Sequence, residues 1–549
     1  MPKNNSNNWF AIFFFSFARQ GLLLLAFSIC IYTLYLSTAV ASWTIDADII
    51  QLPTMLIDFQ SNLANLWGWN LPDAPYYFPD TIVFLTVGWI VKNPLASIII
   101  YSLVQNYLLF WSLRWLYCEL GGKKTLVYDL CFLLAAVIFT YYHPDNFSNF
   151  PNIKGVYLIN LLSYHHFGTY VATIFCLAAC FHYLRTNDFK ILIIGGLVTL
   201  LTTASDFLFA LYFTIPLLTA VGTLFKLKLF KLEQVKAIYL VFSIPSLIAY
   251  IFNKLIDPWV KKFGLRLDFE KVIDSTTKVI YDITVRLNIQ EQLLLLCIVV
   301  LPVGYFLYST CIDVLKLKKN GDYATQQPSI LLSQLKQQII TRFCLKLFIL
   351  LTIVFNLISV LGLGKYTDSG SMRYFIPIYY SPLIFSLLLL SLSIEKLNSK
   401  YLKIIQTSLA VAISAIIFML ASSLEIKPVT EVFTPPNYAA CFDRGAIAGL
   451  AGYWESKPII LFSQRQVQIA TITDNGEPYY WNNNRYWYED SWTNPGNKPQ
   501  FKFIFMRSLK PQAIIQKYGQ PDRTESCDDS EIWWYDNPEQ IYSKLMNDF

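Results

Sequence analysis

The sequence predicts an all-α polytopic membrane domain of about eleven transmembrane helices, followed by a small α+β extracytoplasmic C-terminal domain. Hydrophobic residues make up 55% of the 549-residue chain and charged residues only 15%, with a mean hydropathy of +0.42. This composition excludes an ordinary soluble globular protein. After Ser422 the composition changes, which predicts a membrane domain over residues 1–422 and a separate domain over residues 423–549.

A helix needs about 20 apolar residues to cross the hydrocarbon core of a bilayer. Scanning the chain at that length gives eleven candidate spans, centred near Ser28, Gln105, Leu134, Phe175, Leu197, Thr214, Phe242, Val300, Thr352, Pro382 and Val411. A shorter apolar segment, Asp80–Val91, stops at Lys92-Asn93-Pro94. It is predicted to form an interfacial helix that leads into the second span.

Lysine and arginine collect in alternate loops between these spans, which indicates the orientation of the chain. Such residues include Lys123, Lys124, Arg185, Lys190, Lys396 and Lys400. These loops and the N-terminus are predicted to be cytoplasmic. The segment Ser42–Asp80 and the C-terminal domain are then extracytoplasmic. The basic loops are interpreted as topology signals, so no nucleic-acid partner is predicted.

The residues after Ser422 carry 16 acidic and 12 basic side chains, against 21 acidic and 31 basic in the rest of the chain. About 125 residues are enough for one small core. Strands are predicted at Pro458–Ser463, Gln466–Thr473 and Gln500–Arg507, and helices at Arg444–Glu455 and Pro511–Tyr518.

This domain contains two of the ten cysteines, Cys441 and Cys527. An even pair in an oxidising compartment predicts one disulfide, with two unpaired thiols as the alternative.

The segment Ser42–Asp80 carries five aspartates and no lysine, arginine or histidine. The aspartates are Asp46, Asp48, Asp58, Asp73 and Asp80. Ionisable side chains at a membrane are costly and are therefore functional candidates. An aspartate-rich, aromatic loop in this position is a candidate location for catalytic carboxylates.

Other candidates lie near the predicted outer ends of the spans: Asp206, His165, His166, Lys365 and Arg373. Asp206 either caps the next helix or faces an outer cavity. The two histidines either anchor their helix at the interface or bind a phosphate or hydroxyl group. Adjacent helical residues point about 100° apart, so no metal site is predicted from them. Arg373 either anchors at the interface or binds phosphate, for which the planar guanidinium is well suited, and Lys365 is a further candidate phosphate partner.

The segment Tyr479–Tyr488 places aromatic residues beside asparagines. Such a composition suits the binding of sugar rings, whose C–H faces stack on aromatic rings while their hydroxyls bond to amides. It also suits a β-hairpin with asparagine at the turn. Both interpretations remain open from the sequence.

The arrangement over roughly Gly21 to Leu420 resembles the membrane-embedded glycosyltransferases of the GT-C superfamily, in a bacterial-type branch. The resemblance rests on the odd set of spans, the acidic first outer loop, the interfacial helix before span two, the segment Arg373-Tyr374-Phe375-Ile376-Pro377 at the start of a late span, and the external C-terminal domain. That family usually carries an adjacent acidic pair in its first outer loop. Here the nearest equivalent is Asp46-Ala47-Asp48.

The resemblance implies transfer of a sugar from a polyprenyl-phosphate donor to an extracytoplasmic glycan, lipid or protein acceptor, in the bacterial inner (plasma) membrane. One aspartate would act as general base. The expected order is Asp80 and Asp73 first, because their context is aromatic and stiffened by proline, and then Asp46 and Asp48. Arg373, Lys365 or a histidine would stabilise the departing phosphate, in contact with membrane lipids around the donor's tail. A divalent cation is compatible with this chemistry but not required.

Two alternatives stay open. One is a transporter or flippase of lipid-linked saccharides, which would favour ionisable residues near the bilayer midplane. The other is a non-catalytic membrane assembly or binding protein of related architecture, which the missing acidic pair favours.

Overall fold

The computed structural model describes residues 6–36, 40–41, 44–72, 74–123, 125–141, 166–255, 269–287, 292–293, 295–320, 330–367, 369–442 and 447–547. Within these residues the chain forms a helical part, from residue 6 to 422, and a C-terminal region that contains a β-sheet. Asp73 and His165 lie outside the described residues.

Within the described part of the chain, seven helices are long and apolar enough to cross a membrane. Their apolar windows are Ala18–Tyr35, Pro94–Glu119, Phe167–Thr186, Leu232–Asn253, Gln338–Gly362, Arg373–Ile394 and Ser399–Ser422. They match seven of the predicted centres. The other four centres lie in or beside shorter apolar helices, so the count of eleven spans is not confirmed. The shorter apolar helices are Tyr77–Val91, Leu126–Val137, Phe189–Ser205, Ala210–Lys226 and Leu301–Ile312.

The helix Phe167–Thr186 lies at the centre of the helical part, with 16 of its 20 residues buried. The helices Pro94–Glu119 and Phe189–Ser205 both pack against this helix, and its buried apolar side chains belong to the main hydrophobic core. Small residues permit this close packing: a Cβ atom at Gly195 of Phe189–Ser205 would lie 3.3 Å from the Ala179 Cβ of the central helix. The central helix therefore begins, at Phe167, in a fixed position relative to its neighbours.

The helical part also contains the helices Ser6–Tyr35, Thr125–Tyr141, Ile215–Lys226, Phe269–Tyr281, Leu301–Asn320, Ile330–Gly362, Ile376–Ile394 and Ser399–Ser422. The segment after the first helix, here called the first loop (residues 44–81), contains the helix Gln51–Ser61 and a turn of π-helix, Tyr77–Thr81. The helix Ile82–Val91 follows, as the sequence predicts, and Asn93 caps the next helix by accepting a bond from the Ala96 N–H.

The C-terminal region is built on a five-stranded mixed sheet. The strands are β2 (Ile447–Ala451), β3 (Val467–Thr471), β5 (Phe501–Phe505), β6 (Arg523–Cys527) and β7 (Ser530–Trp534). Their order in the sheet is β3-β2-β5-β7-β6. Strand β2 pairs in parallel with β3 and β5, while β7 is antiparallel to β5 and β6. The helices are Val429–Val432, Tyr453–Phe462, Tyr486–Glu489, Pro511–Tyr518 and Pro538–Met546.

Two sequence predictions for this region are wrong. Pro458–Ser463 falls mainly in the helix Tyr453–Phe462, and the described part of Arg444–Glu455 begins with strand β2. Short apolar runs buried on all sides do not reveal their period, so a strand and a helix look alike. The β2 run is a central strand because Gly449 leaves room for the Phe503 ring, 2.4 Å from where a Cβ would stand.

The first loop is bound to the C-terminal region by a two-stranded antiparallel ladder. Strand β1 (Trp69–Asn70) pairs with β4 (Asn483–Asn484), and the Arg485 N–H donates to the Gly68 carbonyl at 2.8 Å. The segment Tyr479–Tyr488 therefore does not form the hairpin that the sequence allowed. A disulfide joins Cys441 to Cys527 across the region.

Candidate active site

The aspartates of the first loop occupy three separate environments. Asp46 and Asp48 face the start of the helix Tyr453–Phe462, Asp58 is enclosed by side chains of the C-terminal region, and Asp80 lies among the membrane-length helices. The loop is thus a set of distinct carboxylate sites rather than a single acidic patch.

Asp48 is held by groups from both parts of the molecule. The Asp48 N–H donates to Asp46 Oδ1 at 2.9 Å, which closes a tight turn around Ala47. The Tyr453 hydroxyl donates to Asp48 Oδ1 at 2.5 Å, and Arg373 Nη1 lies 3.8 Å from Asp48 Oδ2. The Asp48 side chain remains 18% exposed. It is therefore a fixed carboxylate that is accessible from solvent.

Lys457 also belongs to the cluster formed by Asp46, Asp48 and Tyr453. Its side chain is fully buried, and its Nζ donates to the Ala47 carbonyl at 3.0 Å and to the Tyr453 hydroxyl at 3.2 Å. Burial lowers the pKa of Lys457 to about 7, although Asp48 and Asp46 act against that shift. Burial likewise raises the pKa of Asp46 to about 6. Through its bond to the Ala47 carbonyl, Lys457 holds the backbone between Asp46 and Asp48 in place.

Sequence reasoning missed Lys457 and Tyr453. Lys457 stands beside the apolar run Pro458–Phe462, where a single lysine looks like an exposed position on a strand. On a helix, Tyr453 and Lys457 are four residues apart and share a face, so their ring and ammonium meet, 4.5 Å from Nζ to the ring centroid. The spacing of four residues between Tyr453 and Lys457 was the feature of the sequence that could have identified this pair.

A second acidic site lies where the central helix begins. His166 Nδ1 is 2.6 Å from Asp206 Oδ2, the Thr169 hydroxyl donates to the same oxygen at 2.7 Å, and the Leu208 N–H donates to Asp206 Oδ1 at 3.1 Å. Both His166 and Asp206 are buried. Asp206 therefore combines the local capping that the sequence allowed with a side-chain partner from another helix.

Aromatic rings connect the two sites. The guanidinium of Arg373 lies 5.4 Å from the centroid of the Tyr374 ring. The His166 ring lies 5.4 Å from the Tyr374 ring and 5.5 Å from the Tyr76 ring. The structure thus brings Asp48, Arg373, His166 and Asp206 into one continuous network at the end of the helical part that carries the first loop.

Asp80 has a more enclosed environment than its place in the sequence suggests. The Tyr101 hydroxyl donates to Asp80 Oδ1 at 2.5 Å, and the carboxylate lies directly against Gly168, where a Cβ would be 2.4 Å from its oxygens. Only 3% of Asp80 is exposed. Gly168 therefore permits the carboxylate to pack against the central helix, in a position with little access from solvent.

Asp58 links the first loop to the C-terminal region. Its Oδ2 accepts hydrogen bonds from Trp69 Nε1 at 3.0 Å, Asn484 Nδ2 at 2.7 Å and Trp487 Nε1 at 3.0 Å, while Arg465 lies 4.0 Å from Oδ1. Burial raises the pKa of Asp58 to about 6, against the opposing effect of these donors. This carboxylate is saturated with protein donors, which indicates a structural role.

Lys365, the other proposed phosphate partner, lies just beyond the helix Ile330–Gly362, and its N–H donates to the Val360 carbonyl at 2.9 Å. Among the described residues, no group of three or more His, Cys, Asp and Glu side chains is arranged to hold a metal ion. The site itself presents a carboxylate, Asp48, beside a guanidinium, Arg373.

Comparisons with protein-family models and with curated proteins find no match to this chain.

Proposed function

We propose that this protein is a membrane glycosyltransferase that moves a sugar from a polyprenyl-phosphate donor to an acceptor hydroxyl on the extracytoplasmic side. The observation that carries the proposal is the Asp48–Arg373 pair. A half-enclosed carboxylate and a guanidinium, 3.8 Å apart, meet at the end of a bundle of membrane-length helices. The orientation in the membrane and the eleven-span topology are part of the same proposal.

Asp48 is the general base in this scheme, in place of Asp80, which the sequence ranked first together with Asp73; Asp73 lies outside the described residues. A base must lie within hydrogen-bond reach of the proton that it removes. Asp48 is partly exposed and held in one orientation by Tyr453, whereas Asp80 is buried against Gly168. Asp46 supports the turn around Asp48 through the 2.9 Å bond from the Asp48 N–H.

The reaction divides the work between the two charges. Asp48 accepts the proton of the acceptor hydroxyl as its oxygen forms a bond to the anomeric carbon of the donor. The bond between that carbon and the phosphate oxygen breaks, and the electron pair leaves with the polyprenyl phosphate. Arg373 binds the phosphate, on which negative charge increases, through its planar guanidinium.

The remaining residues hold these two groups in place. Lys457 fixes the Ala47 carbonyl, and Tyr453 fixes the Asp48 carboxylate. Tyr374 lies between Arg373 and the His166–Asp206 pair, so that pair positions the arginine through the ring. A general base of this kind contributes roughly 10² to 10⁴ in rate.

The test uses membrane vesicles that contain the full-length protein, supplied with radiolabelled polyprenyl-phosphate hexoses. Release of polyprenyl phosphate reports transfer whichever acceptor the membranes provide. We expect release by the wild type and a loss of about 100-fold or more in Asp48→Asn. Asp474→Asn is the matched control, because Asp474 is an exposed aspartate paired with Lys510 at 2.6 Å. No release above protein-free vesicles would refute the transferase proposal and favour a transporter or binding protein.

A further inference from the structure

An aromatic face adjoins Asp48 on the side of the C-terminal region. The Tyr453 ring lies 5.4 Å from Tyr479 and 5.5 Å from Trp481, and these last two rings are 6.3 Å apart. All three side chains are half-buried. Because the Tyr453 hydroxyl bonds to Asp48, the face and the carboxylate are parts of one surface.

The backbone of this face is held by buried side chains. Asn483, which is fully buried, donates from Nδ2 to the carbonyls of Tyr479 and Trp481 at 2.9 and 3.0 Å. The Tyr488 hydroxyl also donates to the Tyr479 carbonyl, at 2.9 Å, and the Tyr479 N–H donates to the Thr471 carbonyl at 3.0 Å. The rings are therefore presented by a preorganised segment, which lowers the entropic cost of binding a ligand.

Two polar groups at this face are buried and lack a hydrogen-bond partner among the described residues. Asn482 is 2% exposed; its Nδ2 donates to the Tyr453 hydroxyl at 2.9 Å, but its Oδ1 has no donor. The Trp481 Nε1–H is likewise buried without an acceptor. Buried polar groups without a hydrogen-bond partner destabilise a folded protein, so a ligand that bonds to them is favoured. A hydroxylated ligand would satisfy both, since each hydroxyl donates and accepts.

We propose that the acceptor is a saccharide and that this face binds one of its rings. The inference rests on the proposed function and adds the class of acceptor. The C–H surface of a neutral pyranose stacks on the Tyr479 and Trp481 rings, and its hydroxyls bond to Asn482 Oδ1 and Trp481 Nε1. A further hydroxyl then reaches Asp48, where it becomes the nucleophile. The two aspartates at residues 46 and 48 disfavour an acidic sugar at this position.

The experiment measures binding of fluorescently labelled trisaccharides to the full-length protein in lipid nanodiscs. The panel contains trimers of glucose, galactose, mannose and N-acetylglucosamine. We expect saturable binding of at least one trimer, with the dissociation constant raised about tenfold in Trp481→Ala. Trp481→Phe keeps a stacking ring and should stay closer to the wild type, which separates lost stacking from misfolding. Trp67→Ala is the matched control, because Trp67 is a first-loop tryptophan that is 82% exposed.

Absence of saturable binding by every trimer, or equal affinity in the wild type and Trp481→Ala, would overturn the saccharide site. The outcome is separable from that of the transferase proposal. Binding lost in Trp481→Ala, with polyprenyl phosphate release unchanged in Asp48→Asn, would leave the saccharide site standing and reject Asp48 as base. Equal trisaccharide affinity in the wild type and Trp481→Ala, with polyprenyl phosphate release lost in Asp48→Asn, would keep the transferase proposal and reject a saccharide acceptor.

Discussion

Removal of the Asp58 carboxylate should separate the first loop from the C-terminal region. Asp58 is buried and accepts bonds from Trp69, Asn484 and Trp487 at 2.7 to 3.0 Å. Asp58→Ala leaves these donors unpaired, at about 1–3 kcal/mol each. Part of this cost is offset, because the variant no longer buries a charge. In the wild type at pH 7 that burial lowers the free energy of unfolding by about 3 kcal/mol, since the pKa of Asp58 rises from 3.8 to about 6. The net destabilisation expected for Asp58→Ala at pH 7 is about 3 kcal/mol.

The dependence on pH gives a sharper test through the isosteric Asp58→Asn. The folded protein binds the Asp58 proton between about pH 4 and pH 6, where the unfolded chain has already lost it. Wild-type stability contributed by this group therefore falls as the pH rises through that window. Asparagine does not titrate, so the stability advantage of the wild type over Asp58→Asn should shrink by about 2.4 kcal/mol from pH 4 to pH 7.

The assay is thermal unfolding of the full-length protein in detergent, followed by tryptophan fluorescence, to which Trp69 and Trp487 contribute directly. Limited proteolysis reports release of the C-terminal region from the helical part. Glu489→Gln serves as the control, because Glu489 is an exposed acid on the same region. An unfolding midpoint of Asp58→Ala equal to that of the wild type at pH 7, or a constant difference for Asp58→Asn from pH 4 to pH 7, would refute the structural role of Asp58.

Three further predictions concern other residues of the account. Burial lowers the pKa of Lys457 from 10.5 to about 7, so between these two pH values the unfolded chain binds one more proton than the folded protein, and wild-type stability rises by about 1.4 kcal/mol per pH unit. The free energy of unfolding of Lys457→Met, measured at pH 7 and pH 9, should lack this rise. The same change with pH in the variant and the wild type would contradict the prediction. Asp80→Asn should keep far more polyprenyl phosphate release than Asp48→Asn, because Asp80 is enclosed, and the opposite order would restore Asp80 as base. Replacing Cys441 and Cys527 with serine should lower the free energy of unfolding by roughly 2–5 kcal/mol, because the disulfide closes a separation of 86 residues. A reductant should lower the stability of the wild type by the same amount. Unfolding that is unchanged in the serine variant would argue against the disulfide.

The helical part was the most predictable from sequence, because hydropathy over about 20 residues is a local property. Seven of the predicted span centres lie in membrane-length helices, and the short helix before Pro94 was expected. The four remaining centres lie in or beside shorter helices. The length of such a helix depends on the tertiary contacts at its end, as at Asp206, where the helix Phe189–Ser205 stops. Hydropathy does not record such contacts.

The candidate site was predictable only in its parts. Asp48 and Arg373 were both named from the sequence, but their pairing depends on how the chain returns to the first loop. The Tyr453–Asp48 bond joins residues 405 positions apart, and no local pattern predicts it. The ranking of Asp80 above Asp48 followed from proline and aromatic context. Burial against Gly168, which decides access to Asp80, is a property of packing between helices.

The turnover number of Asp48→Asn at saturating polyprenyl-phosphate sugar tests the central claim most directly. In the proposed mechanism the carboxylate acts on the acceptor proton, while Arg373 binds the donor phosphate. We therefore predict a fall in kcat of about 10² to 10⁴ with the KM for the donor little changed. A kcat for Asp48→Asn equal to that of the wild type would contradict the assignment of Asp48 as the general base.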